Sequence, residues 1–148
     1  MRMYPNYYEN DFYRRQQEQL AADILRAING EFSAIQCYER IARLAPNERV
    51  RRQIREIRED EQRHYNEFVR IYTRMTGRQP DVQAIEVCPS TYREGLDFAF
   101  HDEQETVDFY HRIALETTSP EVREAFRNAA ADEQNHAVWF LYFMTAGR

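Results

Sequence analysis

Two short segments of the chain carry a carboxylate and an imidazole at helical spacing. The first is Asp60-Glu61-Gln62-Arg63-His64, and the second, 72 residues later, is Asp132-Glu133-Gln134-Asn135-His136. On a helix, residues three positions apart lie on the same face, one turn from each other. Each segment therefore presents a Glu and a His side by side, which gives a metal ion two ligands that have little entropy left to lose.

The offset of 72 residues extends beyond these two segments without a gap. A single Glu-x-x-His segment is usually a solvated helix face in a chain this rich in Glu, so the extension is what gives the motif meaning. The other matching positions are Glu31 and Glu103, Tyr38 and Tyr110, Arg40-Ile41-Ala42 and Arg112-Ile113-Ala114, Val50-Arg51 and Val122-Arg123, Arg55 and Arg127, and Phe68 and Phe140. The pattern predicts the internal duplication of a unit of two helices.

The composition favours a single all-α domain. The chain has 148 residues, enough for one domain with a hydrophobic core. Charged residues make up 30% of it, it has only four Gly and five Pro, and its apolar residues recur with helical periodicity; together these features indicate an all-α fold. The net charge of −5 comes from interspersed acids and bases without a basic stripe. We therefore expect no nucleic-acid partner.

Neither the N-terminal residues nor the apolar runs indicate secretion or a membrane. Residues 1–15 contain no apolar run of the signal-peptide type, and the longest apolar run, 137–144, is too short to span a bilayer. Cys37 and Cys88 stand alone, without a Cys-x-x-Cys motif. We interpret them as unpaired cysteines of a reducing cytoplasm, and we expect no thiolate-bound iron or zinc.

Cap and turn residues divide the chain into a tail and two helical hairpins. We expect residues 1–10 to form an irregular, Tyr-rich tail that packs on a partner, and residues 11–148 to form an antiparallel four-helix bundle. Its predicted parts are hairpin 1 (11–77), a crossover (78–90) and hairpin 2 (91–146). The boundary signals are Asn10 or Asp11, Pro46, Asn47, Gly77, Thr91 with Glu94, and Ser119-Pro120-Glu121.

The crossover determines how the two hairpins pack. Glu31 lies 15 residues before Pro46 and Glu61 lies 15 residues after it. At ~1.5 Å per residue, both Glu are ~22 Å from the same end of the bundle. The second helix is roughly 43 Å long, and an extended connection of about 14 residues reaches ~46 Å. The crossover can therefore run the length of the bundle, and a pseudo-two-fold axis then brings four Glu together at mid-height.

Six candidate metal ligands converge in this arrangement. They lie on inward stripes that otherwise carry Ile, Leu, Val, Phe and Tyr, and they are Glu31, Glu61, His64, Glu103, Glu133 and His136. Four buried carboxylates without a Lys or Arg partner must protonate, pair or bind cations. Two divalent ions would balance them, with iron or manganese favoured and zinc able to bind. The alternative is that these are exposed charges on helices with a different phase.

Four further residues are candidates for supporting the ligands. Asp60 and Asp132 each precede a ligand His by four residues, where they could accept the ring N–H of the His of the opposite hairpin; a solvated helix acid would show the same spacing. Tyr38 and Tyr110 lie two turns after the lone Glu of each hairpin, and they either donate hydrogen bonds to ligand carboxylates or only fill the core. Positions off the inward stripes, which we interpret as structural or surface residues, are His101, His111, Glu105 and Cys37.

The last part of the fourth helix predicts an interface. From Ala137 to Phe143 the helix is apolar around nearly its whole circumference. A helix of this kind is buried on every side, which a small bundle achieves only by association. We therefore expect a homodimer or a larger homo-oligomer.

At these residues the chain resembles the ferritin-like di-iron carboxylate proteins, closest to the rubrerythrin and bacterioferritin branches. The likeness covers about residues 11–146 and consists of one Glu from each of two helices and a Glu-x-x-His from each of the other two. It implies a four-helix bundle with a long crossover and a non-haem di-iron centre. The implied roles are Glu61 and Glu133 as bridges, Glu31 and His64 on one iron, and Glu103 and His136 on the other.

Two features distinguish the sequence from rubrerythrins. They usually carry a rubredoxin domain with paired Cys-x-x-Cys, and an extra Glu one turn after the third-helix ligand; this sequence lacks the motif and has Thr106 at that position. No Met lies on an inward stripe to bind the haem of bacterioferritin. We expect two iron ions and neither haem nor rubredoxin-type iron.

The resemblance implies an oxidoreductase that reacts with peroxide or dioxygen and takes electrons from an external donor. Two alternatives have the same ligands. One is a protein for iron storage or detoxification, and the other is a structural or coat protein stabilised by its metal site.

Overall fold

The computed structural model describes the backbone of residues 7–146 and the side chains of residues 10–146. Its four helices are α1 (Tyr7–Leu44), α2 (Glu48–Thr76), α3 (Tyr92–Glu116) and α4 (Pro120–Ala146). α1 pairs with α2 and α3 with α4, and the two hairpins meet through α1 against α3 and α2 against α4. The predicted all-α bundle of two hairpins is confirmed. Within the described range, none of the helices combines the length and apolarity that crossing a bilayer requires.

The boundaries of α2, α3 and α4 follow the predicted caps. Asn47 is extended, with φ −153° and ψ 168°, and its side chain accepts a hydrogen bond from the amide of Val50 at 3.0 Å. Gly77 ends α2 in the left-handed region at φ 70°, where Gly carries no steric cost. The other two caps are the bonds from Glu94 N to Thr91 Oγ1 (3.2 Å) and from Val122 N to Ser119 Oγ (3.3 Å).

The beginning of α1 differs from the prediction. The helix begins at Tyr7, so residues 7–10, which we expected in an irregular tail, are helical. Asn10 and Asp11 are favourable N-cap residues, but a cap contributes only about 1 kcal/mol and a continuing helix outweighs it. Pro5, just upstream, is itself a helix-start signal. Residues 1–6 of the predicted tail, with their expected contact to a partner, lie outside the described residues.

The crossover follows α1 along the bundle. Three links join it to that helix, and their partners follow the same order along both segments. They are Gln83 N to Asn29 Oδ1 (2.9 Å), Ile85 N to Ser33 Oγ (2.9 Å) and the Cys88–Cys37 disulfide. The segment therefore runs in the same direction as α1, as a connection from one end of the bundle to the other must.

The disulfide overturns the interpretation of the cysteines as unpaired. The Cα atoms of Cys37 and Cys88 are 5.3 Å apart, within the usual range for a disulfide. At a sequence separation of 51, the two cysteines belong to no local motif that would predict their pairing. They meet only because the crossover lies along α1. Without unpaired cysteines to support it, the cytoplasmic location stays a prediction.

The hydrophobic core consists of two clusters on either side of a polar layer. One cluster includes Phe68 and Phe126, whose rings stack with their centroids 4.3 Å apart. The other includes Tyr38 and Phe140, with centroids 5.1 Å apart. Glu31 on α1 lies between residues of the first cluster and residues of the second. The carboxylates are therefore enclosed at mid-height, with apolar packing above and below.

Two duplicated arginines close the hairpin turns in the same way. Arg51 and Arg123 each sit in the first turn of the second helix of their hairpin and donate to two carbonyls at the end of the first helix. The bonds are Arg51 to Ala42 O (3.2 Å) and Ala45 O (3.3 Å), and Arg123 to Ala114 O (3.4 Å) and Thr117 O (2.8 Å). These bonds satisfy carbonyls that the helix end leaves free.

Candidate metal centre

Six acidic and imidazole side chains from all four helices converge in the polar layer. The side chains are at most 4% exposed. They form two overlapping groups, and within each group the possible ligand atoms lie within 4.8 Å of one another. The groups are Glu31, Glu61, His64 and Glu133, and Glu61, Glu103, Glu133 and His136. Glu61 and Glu133 belong to both groups, the position that a bridging carboxylate occupies.

Each imidazole points one nitrogen into the layer. Nδ1 of His64 lies 2.9 Å from Oε1 of Glu133 and 3.6 Å from Oε1 of Glu31. Nδ1 of His136 lies 2.8 Å from Oε1 of Glu61 and 3.6 Å from Oε2 of Glu103. Each His is therefore closest to the shared Glu of the opposite hairpin, so both hairpins are needed to complete either group.

The unsatisfied polar atoms of the layer test whether these residues fit metal ions. Each of the six side chains holds one buried atom without a hydrogen-bond partner, and these atoms are Glu31 Oε2, Glu61 Oε1, His64 Nδ1, Glu103 Oε2, Glu133 Oε1 and His136 Nδ1. Leaving a buried polar atom without a partner is costly. In the metal-free protein, a proton between each Nδ1 and the Glu oxygen 2.8–2.9 Å away satisfies part of this set, whereas metal ions would satisfy all of it. Carboxylate oxygens and imidazole nitrogens are ligands for divalent transition metals, so the donor set fits two such ions.

The outward nitrogen of each His bonds to an Asp of the opposite hairpin. Nε2 of His64 lies 2.8 Å from Oδ2 of Asp132, and Nε2 of His136 lies 2.8 Å from Oδ2 of Asp60. A carboxylate oxygen accepts this hydrogen bond, so Nε2 of each ring carries a proton, and Nδ1 is the nitrogen that faces the layer and becomes a ligand once metal displaces its proton. Arg63 also bonds to Asp60 and orients it.

Two buried tyrosines hold the lone Glu of each opposite hairpin. Tyr110 donates to Glu31 and Tyr38 donates to Glu103. Burial, followed by the charge of the adjacent carboxylate, raises the pKa of both phenols well above its ordinary value. Both hydroxyls therefore stay protonated and fix the position of a carboxylate that must not rotate away from an ion.

Without metal, the layer retains protons. Burial raises the pKa of Glu61 and Glu133 well above its usual range, and the neighbouring carboxylates raise it further. Burial alone would lower the pKa of the two imidazoles, but the surrounding carboxylates reverse this and raise it to about 10 for His64 and about 9 for His136. Metal ions must therefore displace protons from both types of ligand.

The residues predicted to lie off the inward stripes divide into two kinds. His101, His111 and Glu105 are exposed, whereas Cys37 is buried in the disulfide. The sequence reasoning missed Asp102, which precedes Glu103. Burial and then the charge of Glu86 raise the pKa of Asp102 to about 9. The duplication gave no signal for it, because the matching position in hairpin 1 is Gly30.

Comparison with known proteins agrees with this architecture. The family model described as Rubrerythrin matches residues 23–92 and 94–148. The uncharacterized protein YhjR of Bacillus subtilis (strain 168) is 50% identical over 142 residues, which cover 96% of this chain and 98% of that protein. A hypothetical protein from Pyrococcus furiosus has a similar fold, with a TM-score of 0.73 at 18% identity, over 85% of this chain and 88% of that one.

The fold, the buried Glu and His layer and the family match support one assignment. The bundle is ferritin-like, and its layer is a carboxylate site suited to two metal ions. The chain belongs to the rubrerythrin family.

Proposed function

We propose that the protein is a non-haem di-iron oxidoreductase that reduces peroxide or dioxygen. The observation that carries this proposal is the set of six buried atoms without partners, one on each side chain of the layer. A pair of redox-active ions held by four carboxylates and two imidazoles would collect two electrons, enough to reduce one peroxide to water with two protons. An external donor must then return the electrons.

Residues around the layer would orient the metal ligands and exclude bulk water. Asp60 and Asp132 hold the proton on the outward nitrogen of each imidazole, so that the inward nitrogen remains a ligand. Tyr38 and Tyr110 fix two of the carboxylates from the side. Apolar clusters above and below the layer, with Phe68 and Phe140 fully buried, keep bulk water away from it.

The test is to load the protein with ferrous iron without oxygen and to mix it rapidly with peroxide or with dioxygen. We expect the visible absorption of oxo-bridged iron to form within one mixing experiment, and repeated turnovers when an artificial electron donor is present. One turnover followed by growth of an iron mineral would instead identify a storage or detoxification protein. Strong thermal stabilisation by zinc without any oxidation would identify a structural protein.

We further propose that the protein associates through α4. Val138, Leu141 and Tyr142 are 57%, 45% and 51% exposed, which leaves an apolar patch on the surface of the single chain. Sedimentation equilibrium should show a homodimer or larger oligomer, and Leu141→Glu should shift it towards the monomer. A wild-type protein that sediments as a monomer at micromolar concentration would contradict this association.

A further inference from the structure

A small cavity connects the surface of the bundle with the metal centre. It lies between α1, α3 and the crossover and has a volume of about 70 Å³, room for several waters. Its lining includes three buried acids of the centre, which are Glu31, Glu61 and Glu133, and three acids outside it, which are Glu86, Asp102 and Glu105. Carboxylates are therefore present from the rim of the cavity to its inner end.

The inner end of the cavity has ligand atoms that lack a partner. Glu31, Glu61 and Glu133 are only 1–2% exposed, and each has a carboxylate oxygen without a hydrogen bond. These oxygens belong to the six orphaned atoms of the centre. An ion that moves through the cavity thus gains carboxylate ligands as it advances.

The backbone at the rim of the cavity is held in place by bonds to α1. Glu86 lies on the crossover, between the bond of Ile85 to Ser33 and the disulfide of Cys88, so its backbone is held on both sides. Asp102 on α3 lines the same cavity, and the nearby Glu86 carboxylate contributes to its raised pKa. Two carboxylates from separate elements are thereby placed together beside the cavity, a pair that can replace waters of a hydrated ion.

Space and charge along the cavity favour a cation. Gly30 is part of the lining, and a Cβ atom added to it would meet no other atom within 4 Å, so the passage is open at this point. The cationic residue of the lining, Arg26, has its guanidinium carbon 4.2 Å from the ring centroid of Phe109. It is outnumbered by the six acids of the lining, of which Glu61, Asp102 and Glu133 have a raised pKa and release a proton as a cation binds.

The opposite face of the centre is built to exclude cations. Asp60 and Asp132 there are bonded to the imidazoles, and Arg63 bonds to Asp60 and lies 4.0 Å from Asp132. The positive charge of this guanidinium repels an approaching divalent ion. The two faces of the same centre therefore differ: a guanidinium lies beside the imidazoles on one face, and the cavity opens past Gly30 on the other.

We propose that the cavity between α1, α3 and the crossover is the port through which divalent cations reach the metal centre, and that Glu86 and Asp102 form an outer site that takes up the partly hydrated ion before it passes Gly30. The inference rests on the metal binding, but not on the oxidoreductase activity, of the proposed function. It therefore concerns the rate at which the centre fills rather than the number of ions it holds.

The first test is to block the passage without touching a ligand. Gly30 is helical with a negative φ, so side chains are tolerated there. Gly30→Leu places a bulky group in the cavity, and Gly30→Ala is the matched control. With cobalt(II) added to metal-free protein in a stopped-flow instrument, we expect Gly30→Leu to fill roughly tenfold more slowly or worse, with Gly30→Ala close to wild type. The final cobalt content by elemental analysis should be the same in all three.

The second test removes charge from the outer site. Glu86→Gln should slow the filling by roughly three- to tenfold at low salt and weaken its dependence on ionic strength. Glu124→Gln, which changes the same charge at an exposed position on α4, should leave the rate unchanged. Equal rates for wild type and Glu86→Gln overturn the proposal, even if Gly30→Leu does not fold. A wild-type protein that binds no cobalt would instead contradict the metal centre itself.

Discussion

The two hairpins of the bundle are nearly identical where they face the metal centre and different where they face outwards. The Glu ligands, the Glu-x-x-His segments, the tyrosines, the Asp partners and the turn arginines all recur at the offset of 72 residues. Outside this set, Gly30 corresponds to Asp102 and Arg63 corresponds to Asn135. A two-ion centre needs both halves, so its residues remain paired, whereas access and surface charge need only one side each.

Asp23 and Gly95 also match at the offset of 72, but the contacts of the two positions differ. Asp23 on α1 accepts hydrogen bonds from Arg112 at 3.2 and 3.3 Å, joining the two hairpins at one end. The matching residue on α3 is Gly95, where an added Cβ would lie 2.9 Å from Cγ1 of Ile41. The end of the α1–α3 contact at Asp23 is therefore polar. At the Gly95 end the two helices approach closely because Gly95 has no side chain.

The largest expected effect comes from breaking the pairing of the ligands. If Glu61 and Glu133 bridge both ions, Glu61→Ala and Glu133→Ala should both abolish dinuclear binding. Glu31→Ala and Glu103→Ala should each leave about one ion per chain, because each of these residues holds only one. Elemental analysis after reconstitution and desalting, with about two ions expected for wild type, measures this.

Glu105→Ala is the matched control for the ligand series. Glu105 is on the same helix as Glu103 and lines the cavity, but it is exposed and is not one of the six ligands, so its loss can change the rate of filling while the final metal content stays at about two. Loss of metal in Glu105→Ala together with full content in Glu103→Ala would contradict the assignment of the ligands.

The disulfide is a difference between the hairpins that reduction can remove. The bond closes a loop with a sequence separation of 51, which stabilises the fold by about 4 kcal/mol through the entropy of the unfolded chain. We expect reductant to lower the free energy of unfolding measured with urea by roughly this amount. The Cys37→Ser/Cys88→Ser double variant should match the reduced protein and show no response to reductant; an unchanged wild-type midpoint on reduction would argue against a stabilising bond.

Metal should stabilise the fold more at alkaline than at acidic pH. The pKa of His64 and His136 is raised from 6.5 to about 10 and about 9, so the stability that their protonation gives the metal-free fold is present below about pH 6.5 and lost as pH rises through these values. Glu61 and Glu133, whose pKa is also raised, act in the same direction because their ionisation in the fold is costly.

Thermal melts with and without manganese(II) measure this difference. Excess metal at about 100 times its dissociation constant contributes roughly 2.7 kcal/mol, or about 5–10 °C. The increase in melting temperature should be larger at pH 8.5 than at pH 6, because fewer protons compete for the ligands. An increase that shrinks as the pH rises would contradict the proton displacement described for this layer.

The smallest expected effect sharpens the comparison of the two Asp partners. Asp60→Asn and Asp132→Asn should each weaken metal binding by roughly 10- to 100-fold, since the imidazole loses the acceptor that fixes its tautomer. Asp60 also accepts a hydrogen bond from Arg63, so Asp60→Asn should weaken metal binding slightly more than Asp132→Asn. Competition with a chelating dye measures both, with the exposed Asp108→Asn as the control. If both variants bind metal as tightly as the control, Asp60 and Asp132 are solvated helix acids with no role in metal binding.

The sequence was sufficient to predict the fold because its signals are local and repeated. Asn47, Gly77, Thr91 and Ser119 act through their nearest backbone neighbours, so their roles can be read without tertiary structure. The convergence of the Glu and His residues followed from helical spacing and the duplication. The start of α1 was less clear, because a cap residue inside a longer helix looks the same as one at its end.

The features that sequence alone did not reveal depend on the path of the crossover. Cys37 meets Cys88, and Glu86 meets Asp102, only because this irregular segment lies along α1. An extended segment has no periodicity that fixes which helix it follows. The side-chain bonds that hold it, from Asn29 and Ser33, are spaced for α1 but resemble ordinary surface polar residues.

The disulfide also bears on how two copies of the chain could assemble. Hairpins related by a pseudo-two-fold axis and joined by one connection could in principle be exchanged between chains, so that hairpin 2 docks on the neighbour's hairpin 1. Such domain swapping requires the crossover to act as a hinge and leave α1. Cys88 is bonded to Cys37 of its own chain, so only residues 89–91 remain between that anchor and α3. The four Cα–Cα steps from Cys88 to Tyr92 span at most ~14 Å, which keeps the second hairpin beside the first and makes each oxidised chain complete its own metal centre.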